Sequence, residues 1–186
     1  QIDSVFLTHA HIDHSGMLPK LYKDGFKGKI YATDVTCDLC DIMLRDSAHI
    51  QETEAKWRSR KAERAGLETF EPVYDMQDAV GAISLFRRCN YGEIIYPAEG
   101  IELRFTDIGH LLGSACIELW LTEGTVHKKI VFSGDVGNTN QRIIRDPQQV
   151  AETDYLVIES TYGNRLHSAD RSNVIFELAG YIQKPL

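Results

Sequence analysis

The 186-residue sequence is poor in the features that mark several large protein classes. No stretch approaches the roughly 20 consecutive apolar residues that a membrane-spanning helix needs, and no secretory signal is visible. Cysteine is scarce, at four residues. Cys37 and Cys40 make one close pair, while Cys89 and Cys116 stand alone, so neither a thiolate zinc knuckle nor a disulfide framework is expected. Three apart on a predicted helix, Cys37 and Cys40 share a face and read as two small buried thiols. That usage predicts a reducing, cytoplasmic home. An excess of positive charge is also missing. The formal net charge is -7, which argues against a generic polyanion binder. It leaves room for a nucleic-acid enzyme, because acids gathered around a metal are offset by charge that a sequence count omits. Internal repeats and low-complexity tracts are absent too.

What is present suits one domain with a real core: 43% of the residues are apolar. The richest segment is Thr8-His9-Ala10-His11-Ile12-Asp13-His14-Ser15-Gly16, directly after the apolar run Val5-Phe6-Leu7. Four metal-binding side chains crowd into six residues, and imidazole with carboxylate suits zinc and harder divalent ions. On extended backbone His9 and His11 point the same way. Asp13 and His14 are adjacent and are expected to point apart, a pattern that suits two ions better than one.

Residues 3–8 read as a strand, and 13–22 as a loop running into a short helix with Pro19 early in it. Lys29 to Ala32 is a second strand. Thr33 or Asp34 can cap a following helix whose inner side carries Leu39, Ile42 and Met43. From His49 to Gly66 the composition turns long and polar. Met76 to Leu85 is another helix, before a turn-like Cys89-Asn90-Tyr91-Gly92. Strands are expected at 93–96, 101–106, 115–121 and 128–132, of which Ile101 to Phe105 alternates cleanly. Tyr155 to Ile158 is almost wholly apolar and reads as a central strand, and Ser172 to Ile182 as a helix.

Four further segments accompany the histidine motif. They are Leu44-Arg45-Asp46-Ser47-Ala48-His49, Gly109-His110-Leu111-Leu112-Gly113-Ser114-Ala115, Phe132-Ser133-Gly134-Asp135-Val136-Gly137 and Glu159-Ser160-Thr161-Tyr162-Gly163-Asn164-Arg165. Together they resemble the metallo-β-lactamase superfamily, in its β-CASP branch of RNA-processing nucleases related to the cleavage and polyadenylation endonuclease. The resemblance implies an α/β fold, an αββα sandwich. It also implies that this sandwich is incomplete, with N-terminal strands, the β-CASP insert and a C-terminal part with a final histidine ligand absent. Residues 1–186 would then be the central part of the domain, with a helical polar excursion at about 37–88. The N-terminus looks like a cut.

The resemblance further implies two zinc ions per intact protein. His9, His11 and His110 would hold one, Asp13 and His14 the other, and Asp135 would bridge both. Asp13, Asp135 and Glu159 are the expected catalytic acids. Arg165 and Tyr162 are candidates to touch substrate, with Ser160, Thr161, Asn164 and His167 nearby. Arg45 and His49 resemble a segment beside the cleft without being catalytic. The implied reaction is metal-dependent hydrolysis of single-stranded RNA, with no membrane partner, with the rest of a parent chain, and with a homodimer left open. The alternatives are a small-substrate hydrolase of the same fold and a non-catalytic RNA-processing scaffold. A separate run, Lys56-Trp57-Arg58-Ser59-Arg60-Lys61 then Arg64, can track a nucleic-acid backbone. Its bland reading is a solvated helix face with Trp57 turned to the core.

Overall fold

A computed structural model describes residues 2–164 and 174–183. Two sheets stack, with helices on the outer face of the first. Strands β1 (Ser4–Phe6), β2 (Lys29–Thr33) and β3 (Phe86–Cys89) form a parallel sheet in that order. Parallel neighbours need crossovers. The first runs through α1 (Ile12–Ser15) and α2 (Leu18–Lys23), the second through α3 (Asp34–Arg64) and α4 (Met76–Ser84). The second sheet contains β4 (Ile95–Ala98), β5 (Ile101–Asp107), β6 (Ala115–Glu123), β7 (Val126–Phe132) and β8 (Tyr155–Val157) in sequential order. It is antiparallel up to β7 and parallel between β7 and β8. A last helix, α5, covers Val174–Ile182.

Strand β2 shows why two layers form. Ile30 and Ala32 face the helices, where they meet Leu18, Cys37, Cys40, Leu44 and Ala48. Tyr31 faces the other way, into a cluster with Leu103, Phe105, Ile117 and Leu119 of the second sheet. A strand buried on both faces places alternate residues into two cores. All four cysteines are free and buried, and burial pushes the Cys37 and Cys40 thiols up to about 12. Among the described residues no helix is long and apolar enough to cross a membrane.

Helix α3 starts where the sequence suggests. Thr33 caps it by accepting the Thr36 amide, and the same hydroxyl donates to the Gly113 carbonyl at 2.6 Å. Its inner line is Cys37, Cys40, Leu44 and Ala48, continued by Ala55 and Ala62. Leu39 and Met43 pack at the margin of that core. Ile42 does not: it is 67% exposed, because it lies off the line that the cysteines begin. The polar stretch from His49 belongs to the same 31-residue helix. The helix ends at Gly66, whose φ of 71° lets its amide reach Glu63 O while the Leu67 amide reaches Ala62 O. Trp57 faces solvent rather than the core.

Two strand assignments change. Phe86 to Cys89 is a strand, not the approach to a turn, since it completes the first sheet beside β2. Among the described residues the apolar Tyr155–Val157 is the outer strand of its sheet, with β7 as its one paired neighbour, and its side chains are more than half exposed. Its composition suggested burial on both faces, but a central position also needs a strand on each side.

The far face of the second sheet holds a buried ion cluster. Glu118 is 0% exposed. It accepts from Arg104 Nε at 2.9 Å and Nη2 at 3.0 Å, and from Thr106 Oγ1 at 2.6 Å. Lys129 Nζ lies 2.7 Å away, and the Trp120 ring sits 5.0 Å from both cations. Burial alone would raise this carboxyl, but the bonds from Arg104, Lys129 and Thr106 outweigh it and hold it at about 2, against an ordinary 4.5. A folded pKa below the unfolded one gives stability that is whole above pH 4.5 and lost as pH falls towards 2. Glu118→Gln should therefore lower the urea midpoint at neutral pH by the equivalent of ~3 kcal/mol. The gap to the parent should narrow as pH drops through that window. A gap independent of pH would show that the charge is not what Glu118 contributes.

Candidate metal centre

Strands β5, β7 and β8 run the same way, so their C-terminal ends share one edge. His110 follows β5, Asp135 follows β7 and Glu159 follows β8. His9 and His11 follow β1, which is brought to that edge by the Ala115 amide donating to Thr8 O at 2.8 Å. Loops on a rigid scaffold thus aim side chains from four strand ends at one point.

His9, His11, His110 and Asp135 each offer a donor atom, all within 4.8 Å of one another. His9 Nε2 lies 3.1 Å from His11 Nδ1, and His110 Nε2 lies 3.2 Å from the same atom. Asp135 Oδ2 stands 3.8 Å from His9 Nε2 and 3.5 Å from His110 Nε2. A tetrahedral ion with Zn–N bonds of ~2.0–2.1 Å sets its ligand nitrogens about 3.3 Å apart. The donor set therefore fits a divalent ion in spacing as well as in kind. Protonation also agrees. Burial, with His14 close by, lowers His9 to about 4, and burial lowers His110 as well, so both rings are neutral near pH 7. Neutral imidazole is the ligating form.

Asp135 divides its two oxygens. Oδ2 faces the three histidines, and Oδ1 lies 3.3 Å from His14 Nε2. Asp13 Oδ2 is 3.6 Å from the same His14 nitrogen. The expectation that Asp13 and His14 point apart is corrected here. They sit in the helical turn α1, where neighbours diverge by about 100° rather than the 180° of a strand. Both can therefore lean to one side, although Asp13 is 76% exposed.

Several positioning groups carry no signal in the sequence alone. Thr8 Oγ1 lies 3.1 Å from His9 Nδ1. A proton donated there leaves the lone pair of Nε2 facing the cluster. The buried Ser15 hydroxyl donates to Ala10 O at 2.8 Å and His11 O at 3.0 Å, pinning the histidine loop. Ser114 Oγ accepts from the His110 and Leu111 amides at 3.1 and 3.0 Å. A Cβ on Gly137 would fall 1.7 Å from Gly109 O, so only glycine lets the Asp135 and His110 loops touch.

Glu159 Oε1 accepts from the Val136 amide at 2.6 Å, next to Asp135, and the Glu159 amide donates to Ser133 Oγ at 3.1 Å. The Val136 bond above all holds its carboxyl below the usual range. It is thus a carboxylate that ties the Asp135 loop in place. Tyr162 is 45% exposed in the turn that follows. Arg165 and His167 lie outside the described residues. Arg45 pairs with Asp41 at 2.9 Å on the surface of α3, and His49 is exposed there.

The model of the metallo-beta-lactamase superfamily matches residues 1–174. The chain belongs to that superfamily. Ribonuclease TTHA0252 of Thermus thermophilus is 33% identical over 174 residues, covering 94% of this chain and 35% of that protein. Transcription termination factor FttA of Thermococcus kodakarensis is 33% identical over 164 residues, covering 87% and 23%. The chain thus spans about a third or less of the length of these curated relatives, whose names support the RNA-processing branch. A subclass B3 metallo-beta-lactamase of Bradyrhizobium japonicum shares 16% identity at a TM-score of 0.44, over 87% of this chain and 58% of its own, a likeness too loose to add to the argument.

Thr8→Val keeps the shape of this superfamily member but removes the group facing His9 Nδ1. Divalent-ion affinity, read by competition with a chromophoric chelator, should fall about 10- to 100-fold. An affinity within about twofold of the parent would show that another contact holds the ring.

Proposed function

We propose that the protein is a metal-dependent ribonuclease of the β-CASP branch. It hydrolyses phosphodiester bonds of single-stranded RNA at a dinuclear zinc centre, and residues 1–186 form the central part of its catalytic domain. The observation that carries this reading is the division of Asp135 between the histidine trio and His14. One carboxylate facing two donor groups is what a bridging ligand must do. Relatives named ribonuclease and transcription termination factor support RNA as the substrate. In this reading His9, His11 and His110 hold one ion, Asp13 and His14 the second, and Asp135 both. Helices α3 and α4 support a helical excursion at about 37–88. The free, buried cysteines support a cytoplasmic setting.

Zinc held by these residues would polarise the phosphate and supply an acidified water. The chain's own residues supply the rest. Neutral His9 and His110 present lone pairs without first losing a proton near pH 7. Ionised Glu159 holds the Val136 amide, which keeps Asp135 at its post. Asp13, exposed beside His14, lies where it can take a proton from the solvent side. Tyr162 and Arg165 follow Glu159 in sequence and are assigned to the substrate; a guanidinium suits phosphate by its paired donors.

Elemental analysis of the whole protein should give two zinc ions per chain. Offered a labelled RNA, a lactam and a glutathione thioester in one buffer, it should cleave only the RNA. Chelator should stop the cleavage, and rising salt should slow it as phosphate contacts release counterions. Asp135→Asn should lose one ion and at least about 10²-fold in rate. Turnover of the small substrates alone would reject the ribonuclease reading. Near-normal cleavage by Asp135→Asn would reject the bridging role.

A further inference from the structure

The last turns of α3 carry a feature that the metal centre does not use. Ala55 and Ala62 are buried. At about 100° per residue, Trp57, Arg60, Lys61 and Arg64 fall on the opposite face. Their spacing makes one stripe along the helix. Trp57 is 63% exposed, and Lys61 Nζ lies 5.7 Å from its ring centre. Neighbouring cations are engaged elsewhere: Lys56 faces Glu52 and Arg58 faces Glu54. Among the described residues, no ion pair or hydrogen bond engages the side chains of Arg60, Lys61 or Arg64. The bonds at Gly66 close the helix beyond Arg64, so the stripe sits on regular backbone. In a chain of net charge -7, three unpaired cations around an exposed indole form a distinct patch.

We propose that this stripe is an accessory track for single-stranded RNA, with Trp57 stacking on a base and Arg60, Lys61 and Arg64 meeting the adjoining phosphates. The choice of RNA rests on the ribonuclease reading above. The chemistry favours a nucleic acid over an acidic peptide. Bases offer the indole a flat partner and phosphates offer the cations a charge, whereas carboxylates use the cations alone. The position sets a length rule. Trp57 lies 24 residues after Thr33, whose hydroxyl touches the His110 loop through Gly113 O. That is about 36 Å of helix, or on the order of ten stacked nucleotides at ~3.4 Å each. Long RNA reaches both the track and the metal centre, and short RNA reaches only one.

The 186 residues hold two tryptophans, so Trp120→Phe leaves Trp57 as the one indole among them, and a matched Trp57→Phe variant isolates its signal in the whole protein. In chelator, where RNA stays intact, a 20-nucleotide oligouridylate should quench that fluorescence. Replacing Arg60, Lys61 and Arg64 together by Gln should abolish the quenching, and polyglutamate should give none. With metal restored and Trp120 intact, Trp57→Ala should raise KM for a 30-nucleotide RNA about tenfold. It should leave kcat unchanged, and leave a five-nucleotide substrate unaffected. Absence of quenching, equal quenching by polyglutamate, or an equal KM rise on the short substrate would overturn the track. Failure of the parent to cut any RNA would instead sink the ribonuclease reading, while the quenching would still decide the track.

Discussion

Four donor groups from three strand ends must meet within 4.8 Å, and most of the structure around that edge follows from this one constraint. Their strands are unconnected neighbours in sequence, so each loop needs its own restraint. Thr8 faces the His9 ring, Ser15 pins the backbone after it at Ala10 and His11, Ser114 holds the His110 amide, and Glu159 holds the amide after Asp135. Gly137 lets two of the loops touch. None of these groups offers a donor to the metal-competent cluster. They are the polar contacts that a set of converging, mutually crowded ligands requires to stay aimed.

The constraint also explains which parts of the site were legible in the sequence. His9, His11, Asp13 and His14 stand within six residues, so local spacing announced them. His110 and Asp135 carry little signal by themselves and were placed through the resemblance to known family segments. Thr8, Ser114 and Gly137 could not be read, because their roles depend on partners that only the fold supplies; the need for glycine at 137 is set by Gly109, on another strand end. The orientation of Asp13 and His14 escapes the sequence for a smaller reason. Strand-like alternation sets neighbours apart, but the chain has already begun a helical turn at Ile12.

Errors in the fold have a common physical origin. Apolar composition reports what a segment is able to bury, not what lies beside it, and so Tyr155–Val157 reads as central while forming the outer strand among the described residues. The converse holds for the second half of α3. Its inner line is alanine, at Ala48, Ala55 and Ala62, and alanine gives a weak periodic signal among long polar side chains. From His49 on, long polar neighbours hide that inner line, although the stretch stays helical. Glu118 shows the same limit for charge. A glutamate between Ile117 and Leu119 reads as the exposed member of an alternating strand, yet Arg104 and Lys129 from the flanking strands enclose it. Cross-strand pairing is set by register, which no single strand contains.

Helix α3 joins these themes, because one element serves two environments. Its first turns are fixed by large contacts: Thr33 on the Gly113 carbonyl, then Cys37, Cys40 and Leu44 in the core. Its last turns are fixed by small ones, buried alanines and, beside them, a strap where Ser59 Oγ both donates to and accepts from the Phe70 backbone. Small inner residues leave the outer face free of packing duties, so its composition answers to solvent or to a partner. Basic side chains near a helix C-terminus are favoured by the macrodipole, and that alone accounts for Lys61 and Arg64. It does not account for Trp57, an aromatic held in water four residues before Lys61 with its ring facing an ammonium. Exposing an indole forfeits burial that a core position would gain, and that unspent apolar surface among cations is what marks the far end of α3 as a place of contact.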